Sequence, residues 1–326
     1  MIIVTGGAGF IGSNLIKGLN EARRKDILVV DDLEQKDKFK NLVGLDFVDY
    51  LDKDEFLNQI LDGLWEEEVV EAIFHQGACS DTMEHNGKYM MDINYEYSKS
   101  LLHFCMRRNI PFIYASSASV YGNGDNGFRE DPACEAPLNV YAFSKWHFDR
   151  YVETLLPQAT SQIVGLRYFN VYGPQENHKG RMASVAYHLF HQLNKDGTMR
   201  LFRGIDGYGD GEQRRDFIYV KDVVKVNLFF LNNPDKKGIF NCGTGQSQTF
   251  NELAHAAAKA LGFGKLEYIE FPEALKGKYQ NFTEADQTKL RSIGYDEPFM
   301  TLDAAVADYY RYLWQSGGYF TRENSK

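Results

Sequence analysis

A tyrosine and a lysine four positions apart are the residues of this sequence whose types and spacing most directly suggest chemistry. They lie in Tyr141-Ala-Phe-Ser-Lys145, and positions i and i+4 of a helix share one face. A free phenol has a pKa of about 10, which is too high for a good base at neutral pH. A neighbouring ammonium, together with the charge of an oxidised nicotinamide, would lower that pKa. The pair therefore predicts proton transfer at Tyr141, assisted by Lys145.

A serine upstream of this pair can hold a reacting substrate oxygen through its hydroxyl group. Ser117 lies in Tyr114-Ala-Ser-Ser-Ala-Ser-Val-Tyr121, after a strand-like run and 141 − 117 = 24 residues before Tyr141. A Tyr-x-x-x-Lys pattern alone occurs often by chance. With the serine at this offset, the pattern predicts that Ser117, Tyr141 and Lys145 act together in catalysis.

A glycine-rich segment near the N-terminus is typical of a dinucleotide phosphate site. Gly6-Gly7-Ala8-Gly9-Phe10-Ile11-Gly12 lies between a strand-like run and a helical pattern. We expect Gly6 to allow a sharp turn, Gly9 to let a pyrophosphate approach the backbone, and Gly12 to pack closely. The anion would then lie on the N-terminus of the helix, where unpaired N–H groups favour negative charge. A tight turn without a ligand is the alternative interpretation.

Two acids follow the second predicted strand, in Val29-Val30-Asp31-Asp32, about 20 residues beyond the glycines. A carboxylate there accepts hydrogen bonds from adenosine ribose hydroxyls, which favours NAD. Lys36, Lys38 and Lys40 follow closely, and Lys53 lies further along the chain. A lysine that reaches a 2′-phosphate would favour NADP, and a solvated charged loop is the alternative interpretation. The residues alone leave both cofactors open.

Strand-like and helical patterns alternate through the first half of the chain and predict a doubly wound α/β fold with a parallel sheet. The predicted strands are Ile2–Thr5, Ile27–Val30, Ala72–His75, Pro111–Ala115 and Ile163–Arg167, and the predicted helices are Ser13–Asn20, Glu55–Leu61 and Met90–Arg107.

The pattern changes near Asn170, and we expect a smaller α/β substrate-binding lobe from there onward. We assign residues 1–171 to the dinucleotide-binding domain, with segments near 216–243 returning to it, and residues 172–326 to the lobe. Strand-like Asp216–Val220 and Gly238–Asn241 are both predicted to rejoin the sheet. Thr249-Phe-Asn-Glu252 is a capping box at the start of an amphipathic helix.

The composition is that of an ordinary globular protein: 326 residues, 44% hydrophobic and 25% charged, with a formal net charge of −9. This acidic balance argues against nucleic acid or an anionic membrane as the main partner. The four cysteines are widely spaced and have no metal-ligand pattern, so we expect free thiols and no metal site. No apolar run is long enough to span a membrane, and the N-terminus is interpreted as a strand and not a signal peptide. These features predict a cytoplasmic protein.

Further motifs identify a family resemblance over essentially the whole chain. They include Phe74-His-Gln-Gly-Ala78, Arg167-Tyr-Phe-Asn-Val-Tyr-Gly-Pro174 and Arg215-Asp-Phe-Ile-Tyr-Val-Lys-Asp222. With the glycine loop and the Ser/Tyr/Lys set, they resemble the Rossmann-type extended short-chain dehydrogenases/reductases that act on nucleotide sugars. Finer motifs are similar to the branch that epimerises ADP-activated heptoses; they are Gly77-Ala-Cys-Ser80, Gly87-Lys-Tyr-Met-Met-Asp92, His178-Lys-Gly180 and Leu275-Lys-Gly-Lys-Tyr279.

This resemblance implies epimerisation at C6″ of an ADP-heptose, for lipopolysaccharide inner-core synthesis, by a homo-oligomer that in this branch is a pentamer. It shifts the cofactor prediction towards tightly bound NADP. The implied cofactor residues are Gly6, Gly9, Phe10, Ile11, Gly12, Asp31, Asp32, Lys38, Lys53, Gln76, Gly77, Ala78, Cys79, Ser80, Asn94, Lys145, Val171 and Lys179. The implied substrate residues are Ser117, Asn170, Arg181, His188, Phe202, Arg203, Gly204, Ile205, Arg215 and Tyr279.

The same resemblance points to Lys179 as a second acid/base residue, because the two C6″ epimers present their hydroxyl groups in opposite orientations. Arg181 departs from the family, which usually has a small residue there. Arg215 suits a diphosphate because its planar fork donates two hydrogen bonds, although an ion pair with Asp216 is an alternative. The insertion Asp206–Glu212 is interpreted as a lengthened loop, with a substrate lid as the alternative.

Two other functions remain open at this point. One is another nucleotide-sugar reaction on the same fold, a 4-epimerase or a 4,6-dehydratase. A dehydratase usually has acidic residues beside the active serine, and here the neighbours are Ser116 and Ala118. The other is a dinucleotide-sensing protein without catalysis, which would be expected to have lost the Tyr/Lys pair. Fold alone does not decide among these functions.

Overall fold

A seven-stranded parallel sheet forms the centre of the computed structural model, which describes residues 1–35, 37–273 and 280–321. The sheet confirms the predicted doubly wound class, because its strand order is β11-β6-β5-β4-β1-β2-β3 and the chain changes direction beside β1. Its strands are β1 (Ile2–Thr5), β2 (Ile27–Asp31), β3 (Asp49–Asp52), β4 (Ala72–His75), β5 (Phe112–Ser117), β6 (Ile163–Tyr168) and β11 (Gly238–Cys242).

Helices cover both faces of this sheet, and the alternation of side chains in β1 shows why. Ile2 and Val4 belong to one apolar core, and Ile3 between them belongs to the other, as the two-residue period of a strand requires. The first core lies under α1 (Phe10–Glu21) and α7 (Val220–Asn232). The second lies under α2 (Lys53–Leu61), α4 (Tyr97–Arg108) and α5 (Val140–Leu155).

A further apolar core lies in the C-terminal half, among α6 (Val185–Asp196), α8 (Phe250–Leu261), α10 (Leu302–Ser316) and strand β8 (Thr198–Phe202). Strand β13 (Lys265–Ile269) pairs in parallel with β8. The predicted capping box at the start of α8 is present, because Thr249 and Glu252 each accept a hydrogen bond from the other's backbone N–H. Short elements complete this half: β9 (Arg214–Arg215), β12 (Gln248–Thr249) and α9 (Thr288–Ser292).

One of the two predicted returning strands does not rejoin the sheet, so that prediction was wrong. Strand β10 (Phe217–Tyr219) pairs in parallel with β7 (Asn170–Tyr172) in a separate two-stranded sheet. The position beside β6 is instead taken by β11, which pairs from Gly238 to Cys242. Apolar β-branched composition indicates a strand, but it does not indicate which strand is its neighbour.

The single helix predicted over Met90–Arg107 is interrupted. Helix α3 (Gly87–Met91) is followed by a π-helical turn over Asp92–Glu96, and α4 begins only at Tyr97. Such turns are frequent at functional sites because they redirect one side chain. Here the turn contains Asn94, whose side chain is buried. Within the described ranges, no helix is long and apolar enough to cross a membrane.

Candidate active site

The carboxyl ends of the parallel strands open into one large cleft with a volume of about 850 Å³. This is where open α/β sheets bind ligands. Predicted cofactor residues that line it are Gly6, Gly9, Phe10, Ile11, Gly12, Asp31, Asp32, Lys38, Lys53, Gln76, Gly77, Ala78, Cys79, Ser80, Lys145, Val171 and Lys179. The structure also brings Ser117, Tyr141, Asn170 and Arg181 to the same cleft.

The glycine loop has the geometry of a phosphate cradle. Gly6 has φ +66°, and a Cβ atom there would lie 2.5 Å from the backbone nitrogen of Gly77. A Cβ at Gly12 would lie 2.1 Å from the Gly6 carbonyl oxygen. Any side chain would therefore displace the loop from the N-terminus of α1, which begins after Gly9 without a side-chain cap. The first N–H groups of α1 remain available to an anion.

Two carboxylates and two lysines form the wall beyond the glycine loop. Asp31 accepts hydrogen bonds from the backbone N–H of Ala8 at 2.7 Å and from the Lys38 ammonium at 2.6 Å. Burial raises the pKa of Asp31, and Lys38 opposes that shift. Asp32 is more exposed and lies 3.4 Å from Lys38 and 3.6 Å from Lys53. Asp31 therefore holds the glycine loop in place, whereas Asp32 and the two ammonium groups are directed towards the cleft.

The loop after β4 is fixed by Asn94, which does not itself line the cleft among the residues described. Its side-chain oxygen accepts from the Cys79 N–H at 2.8 Å, and its amide donates to the Cys79 carbonyl at 3.0 Å and to Ser144 at 3.1 Å. Asn94 thus shapes the backbone that carries Gln76 to Ser80. In this arrangement it acts on the cleft through Cys79.

Tyr141 and Lys145 lie on one face of α5, as the spacing predicted. Both line the cleft with Ser117, which ends β5. The Lys145 ammonium donates to the Ala115 carbonyl at 2.8 Å, and burial lowers its pKa to about 8. The expected lowering of the Tyr141 pKa by Lys145 is absent from this structure: burial raises that pKa, and a hydrogen bond from Ser117 opposes the rise.

A buried ion-pair network lies directly beneath this set and was missed by sequence reasoning. Asp149, one helical turn beyond Lys145 on α5, accepts from Arg167 Nε at 2.8 Å and from Ser116 at 2.8 Å. Arg167 also reaches Glu135. Asp149 and Arg167 are fully buried, so each charge depends on the other. The i, i+4, i+8 spacing of Tyr141, Lys145 and Asp149 was the available signal.

Lys179 enters the cleft from a 3₁₀ turn over Asn177–Met182. Its ammonium lies over the Phe10 ring, 5.0 Å from the ring centroid. Burial lowers the pKa of Lys179, and the nearby Glu176 carboxylate opposes that shift. The cleft thus contains two groups able to exchange protons, Tyr141 and Lys179, on different elements.

Arg181 lies at the cleft mouth and forms an ion pair with Asp81 at 2.8 Å. The Arg181 side chain is largely exposed, and the Asp81 side chain is partly buried. Asp81 belongs to the loop after β4, so the pair connects the two walls of the cleft.

Six predicted substrate residues lie outside the cleft lining, as far as the described residues show: His188, Phe202, Arg203, Gly204, Ile205 and Arg215. Arg203 pairs with Glu270 at 3.1 Å, and the buried Arg215 lies 5.6 Å from the Phe250 ring centroid. The Asp216 carboxylate accepts from the N–H groups of Thr244, Gly245 and Ala285.

The predicted residue Tyr279 lies outside the described residues. Gln280, which sequence reasoning did not select, lines the cleft.

The arrangement fits a nicotinamide dinucleotide and a proton-exchanging substrate. The glycine cradle suits a pyrophosphate, and the acids and lysines beyond it suit an adenosine ribose. Tyr141, Lys145 and Ser117 lie at the far end of the same cleft, where the reactive ring of an extended dinucleotide would end.

Comparison with known proteins agrees with this geometry. Residues 2–243 match the family model "NAD dependent epimerase/dehydratase family". The chain is 58% identical over 321 residues to an ADP-L-glycero-D-manno-heptose-6-epimerase of Brachyspira hyodysenteriae, covering 98% of this chain and 99% of that protein.

Solved structures give the same result. The crystal structure of the Helicobacter pylori ADP-L-glycero-D-manno-heptose-6-epimerase is similar with a TM-score of 0.82 and 33% identity, covering 96% of each chain. A UDP-N-acetylglucosamine 4-epimerase from Methanobrevibacter ruminantium has a TM-score of 0.81 and 26% identity, covering 96% of this chain and 97% of that one.

Proposed function

The chain belongs to the NAD dependent epimerase/dehydratase family, and from that premise we propose that it interconverts the two C6″ epimers of ADP-glycero-manno-heptose. The observation that carries the proposal is the 58% identity, over nearly the whole chain, to an enzyme named for that reaction. The cleft that contains Ser117, Tyr141, Lys145 and Lys179 supports it. The product, ADP-L-glycero-D-manno-heptose, would serve lipopolysaccharide inner-core synthesis.

The cofactor we propose is NADP, held by the glycine cradle and by the wall beyond it. When bound, it supplies a hydride acceptor and then a hydride donor, so the reaction has no net redox change. Lys38 and Lys53 lie 3.4 Å and 3.6 Å from Asp32. They would place two ammonium groups around a ribose 2′-phosphate, where Asp32 alone would repel it. The Gln76–Ser80 loop and Val171 line the remainder of the proposed cofactor site.

Tyr141 is the first proposed acid/base residue. It would take the proton of the C6″ hydroxyl as the C6″ hydride leaves, which gives a 6″-ketone. Ser117 hydrogen-bonds the Tyr141 phenol and opposes the rise in its pKa, so it can hold the reacting oxygen in the same position. With the cofactor bound, the Lys145 ammonium and the positive charge of the oxidised nicotinamide would together favour the phenolate.

Lys179 is the second proposed acid/base residue. The hydrogen on C6″ must face the same nicotinamide carbon in both epimers, so their hydroxyl groups point to opposite sides. One phenol cannot easily reach both positions, and a proton carrier from another element is chemically expected. Lys179 enters from Asn177–Met182, whereas Tyr141 is on α5. Reduction of the ketone from its other face would take its proton from Lys179.

The ADP-sugar is proposed to extend from the cleft towards the C-terminal half. Asn170 and Arg181 line the cleft and would contact the sugar end. His188, Phe202–Ile205, Arg215 and Tyr279 remain proposed contacts of the nucleotide end. We also propose that the chain consists of a cofactor-binding domain, residues 1–171 with segments near 216–243, and a substrate-binding lobe, residues 172–326.

We propose in addition that the protein is a cytoplasmic homo-oligomer, pentameric by family resemblance. Its mass in solution can be measured by light scattering.

Proton NMR of the purified protein with ADP-D-glycero-D-manno-heptose tests the reaction. We expect conversion to the L-glycero epimer without added NADP⁺, because the cofactor is regenerated in each cycle. Conversion only after NADP⁺ is added would contradict tight retention and leave the reaction standing. No conversion by cofactor-loaded protein, together with epimerisation of a UDP-hexose at C4″, would favour the 4-epimerase alternative.

A further inference from the structure

One buried asparagine connects the glycine loop to the segment that carries Lys179. Asn41 lies in a 3₁₀ turn over Lys38–Leu42 and is 1% exposed. Its side-chain amide donates to the carbonyl of Ala8, in the glycine loop, at 2.9 Å. It also donates to the carbonyl of Gln175, four residues before Lys179, at 3.1 Å. A single NH₂ group therefore joins two parts of the cleft that are distant in sequence.

Two further contacts strengthen this connection. The Gln175 side chain donates back to the Asn41 carbonyl at 2.9 Å. His178 Nδ1 lies 3.1 Å from the Asn41 amide nitrogen. Burial lowers the pKa of His178 to about 4, so its ring is neutral at physiological pH and Nδ1 can share one of the two protons that the amide also donates to the carbonyls. Asn41 thus contacts residues on both sides of Glu176, within what we call the Lys179 segment, residues 175–184.

The Lys179 segment is attached to the C-terminal half by a different side chain. Glu176 is fully buried and accepts from the N–H and the hydroxyl of Ser184, both at 2.6 Å. It also accepts from the Tyr309 hydroxyl, on α10, at 2.8 Å. These contacts fix the segment to α6 and α10 without reference to the glycine loop. Asn41 and its partners connect the segment to the glycine loop itself, whereas Asn14 on α1 donates to the Pro174 carbonyl just before the segment.

Lys179 itself packs on the junction that Asn41 stabilises. The Lys179 ammonium lies over the ring of Phe10, the first residue of α1 after the glycine loop. Asn41 carries a cost, because its side-chain oxygen has no hydrogen-bond partner within the described part of the chain. An apolar residue would avoid that cost, but it would remove the donor to the Ala8 and Gln175 carbonyls, so the asparagine is retained for the connection that its amide makes.

We propose that Asn41 is a positioning residue that holds Lys179 in register with the phosphate-binding loop. The proposal rests on the proposed function of Lys179 as the second acid/base residue. Because a displacement of about 1 Å can cost up to ~100-fold in rate, Asn41→Leu should lower the epimerisation kcat by about tenfold or more. Its KM for the ADP-heptose should stay near the wild-type value.

A second substrate separates positioning from general damage. In an ADP-hexose with a C6″ aldehyde, two aldehydes and one water give one alcohol and one carboxylic acid. The hydride removed from the hydrated aldehyde of one molecule is added to the aldehyde carbon of the next. C6″ is not a stereocentre in this substrate, so one acid/base residue suffices for both half-reactions. Hydride transfer can therefore be measured through Tyr141 alone, in Lys179→Met, or through Lys179 alone, in Tyr141→Phe.

The decisive measurement adds Asn41→Leu to each of these two variants, with bound cofactor quantified by absorbance. We expect dismutation to fall by about tenfold or more in the Tyr141→Phe background, where Lys179 acts alone. In the Lys179→Met background, adding Asn41→Leu should change the dismutation rate by no more than about twofold. That variant has no Lys179 side chain that could be displaced. Equal losses in both backgrounds, or no loss in either, would overturn the proposal. Asn41→Ala provides the same comparison if the leucine variant does not fold.

Asn20→Leu is the matched control. Asn20 lies in the last turn of α1 and, like Asn41, bridges backbone groups, donating to the Arg24 and Asp46 carbonyls at 2.9 Å and 2.8 Å. It is at the other end of the helix, away from the cleft, and its variant should keep wild-type rates in both assays. If cofactor-loaded wild-type protein does not epimerise the ADP-heptose, the proposed function fails. If it does and the Asn41 comparison gives equal losses, only the positioning proposal fails.

Discussion

Burial lowers the pKa of the Lys145 ammonium to about 8, so this group titrates close to neutral pH. Below that pH the group is charged and, in the proposed mechanism, favours the Tyr141 phenolate in the cofactor-bound enzyme. Above it the group loses its proton, and the support for the phenolate disappears. We expect kcat/KM to fall as pH rises through about 8. In Lys145→Arg the guanidinium stays charged, so this variant should be slower but its kcat/KM should not fall as pH rises through about 8. A wild-type profile in which kcat/KM does not fall between about pH 7.5 and 9.5 would contradict this role of Lys145.

The two proposed acid/base residues give a second prediction at the scale of single residues. Tyr141→Phe and Lys179→Met should each lower epimerisation by at least ~100-fold, a typical general acid/base contribution. Both should still bind NADP and the ADP-sugar nearly normally, because the backbone of the glycine loop, Lys38 and Lys53 remain in place to hold the phosphates. Rates are measured by NMR, and binding by calorimetry. Wild-type epimerisation by Lys179→Met would mean that Tyr141 serves both faces alone.

The proposed preference for NADP assigns the choice of cofactor to Lys38 and Lys53. If they contact a 2′-phosphate, Lys38→Ala and Lys53→Ala should each reduce NADP affinity relative to NAD by roughly 10- to 100-fold, since a charged hydrogen bond is worth about 1.5–3 kcal/mol. Affinities of cofactor-free protein are measured by fluorescence titration. Lys40→Ala is the control, because Lys40 is exposed in the same turn and pairs with Asp37. An NADP-to-NAD ratio unchanged in both variants would contradict the assignment.

At the scale of elements, much of the site could be predicted because its signals are local. Glycine spacing, the Tyr/Lys pair and the Thr249/Glu252 capping box each depend on residues within one turn or one helix. The pairing of β10 with β7, and of β11 with β6, depends on contacts between segments that are far apart in the sequence. The connections made by Asn41 and Glu176 join residues more than a hundred positions apart. No periodicity within a segment encodes such contacts.

Helix α5 carries Tyr141, Lys145 and Asp149 on one face, so its anchorage to Arg167 should affect both stability and catalysis. Asp149→Asn leaves the fully buried Arg167 without one of its two carboxylates, and the loss of such a partner costs about 3–5 kcal/mol. It also removes the charge that raises the pKa of Lys145. We expect a lower free energy of unfolding in urea and a kcat/KM limb shifted below pH 8.

Glu153→Gln is the control on the same helix. Glu153 pairs with Arg150 near the surface, where an ion pair contributes about 0–1 kcal/mol. Its variant should unfold at nearly the wild-type urea concentration. Equal destabilisation by the two substitutions would show that the Asp149 network does not anchor α5.

At the scale of the whole molecule, the cleft is closed on one side by elements of the sheet and on the other by the Lys179 segment. The chain has a formal net charge of −9. The cleft lining is balanced by comparison: its five cationic residues are matched by five acidic ones, Asp31, Asp32, Glu34, Asp54 and Asp81. The cleft therefore lacks the acidic excess of the whole protein, and its lysines and Arg181 can each contact an anionic group of a dinucleotide or a nucleotide sugar.

The ion pair between Arg181 and Asp81 connects the two walls of the cleft, and substitutions of its two residues are expected to change KM differently. Their side chains are 68% and 40% exposed, so the pair should add little to stability. If Arg181 instead contacts the substrate, Arg181→Ala should raise KM by roughly tenfold or more, since it removes a charge-assisted hydrogen bond. Asp81→Asn leaves the guanidinium in place and removes its competitor, so KM should stay the same or fall. The melting temperature and the bound cofactor should be unchanged in both variants. A rise in KM for Asp81→Asn as large as for Arg181→Ala would instead mean that the pair, and not the arginine alone, forms the substrate contact.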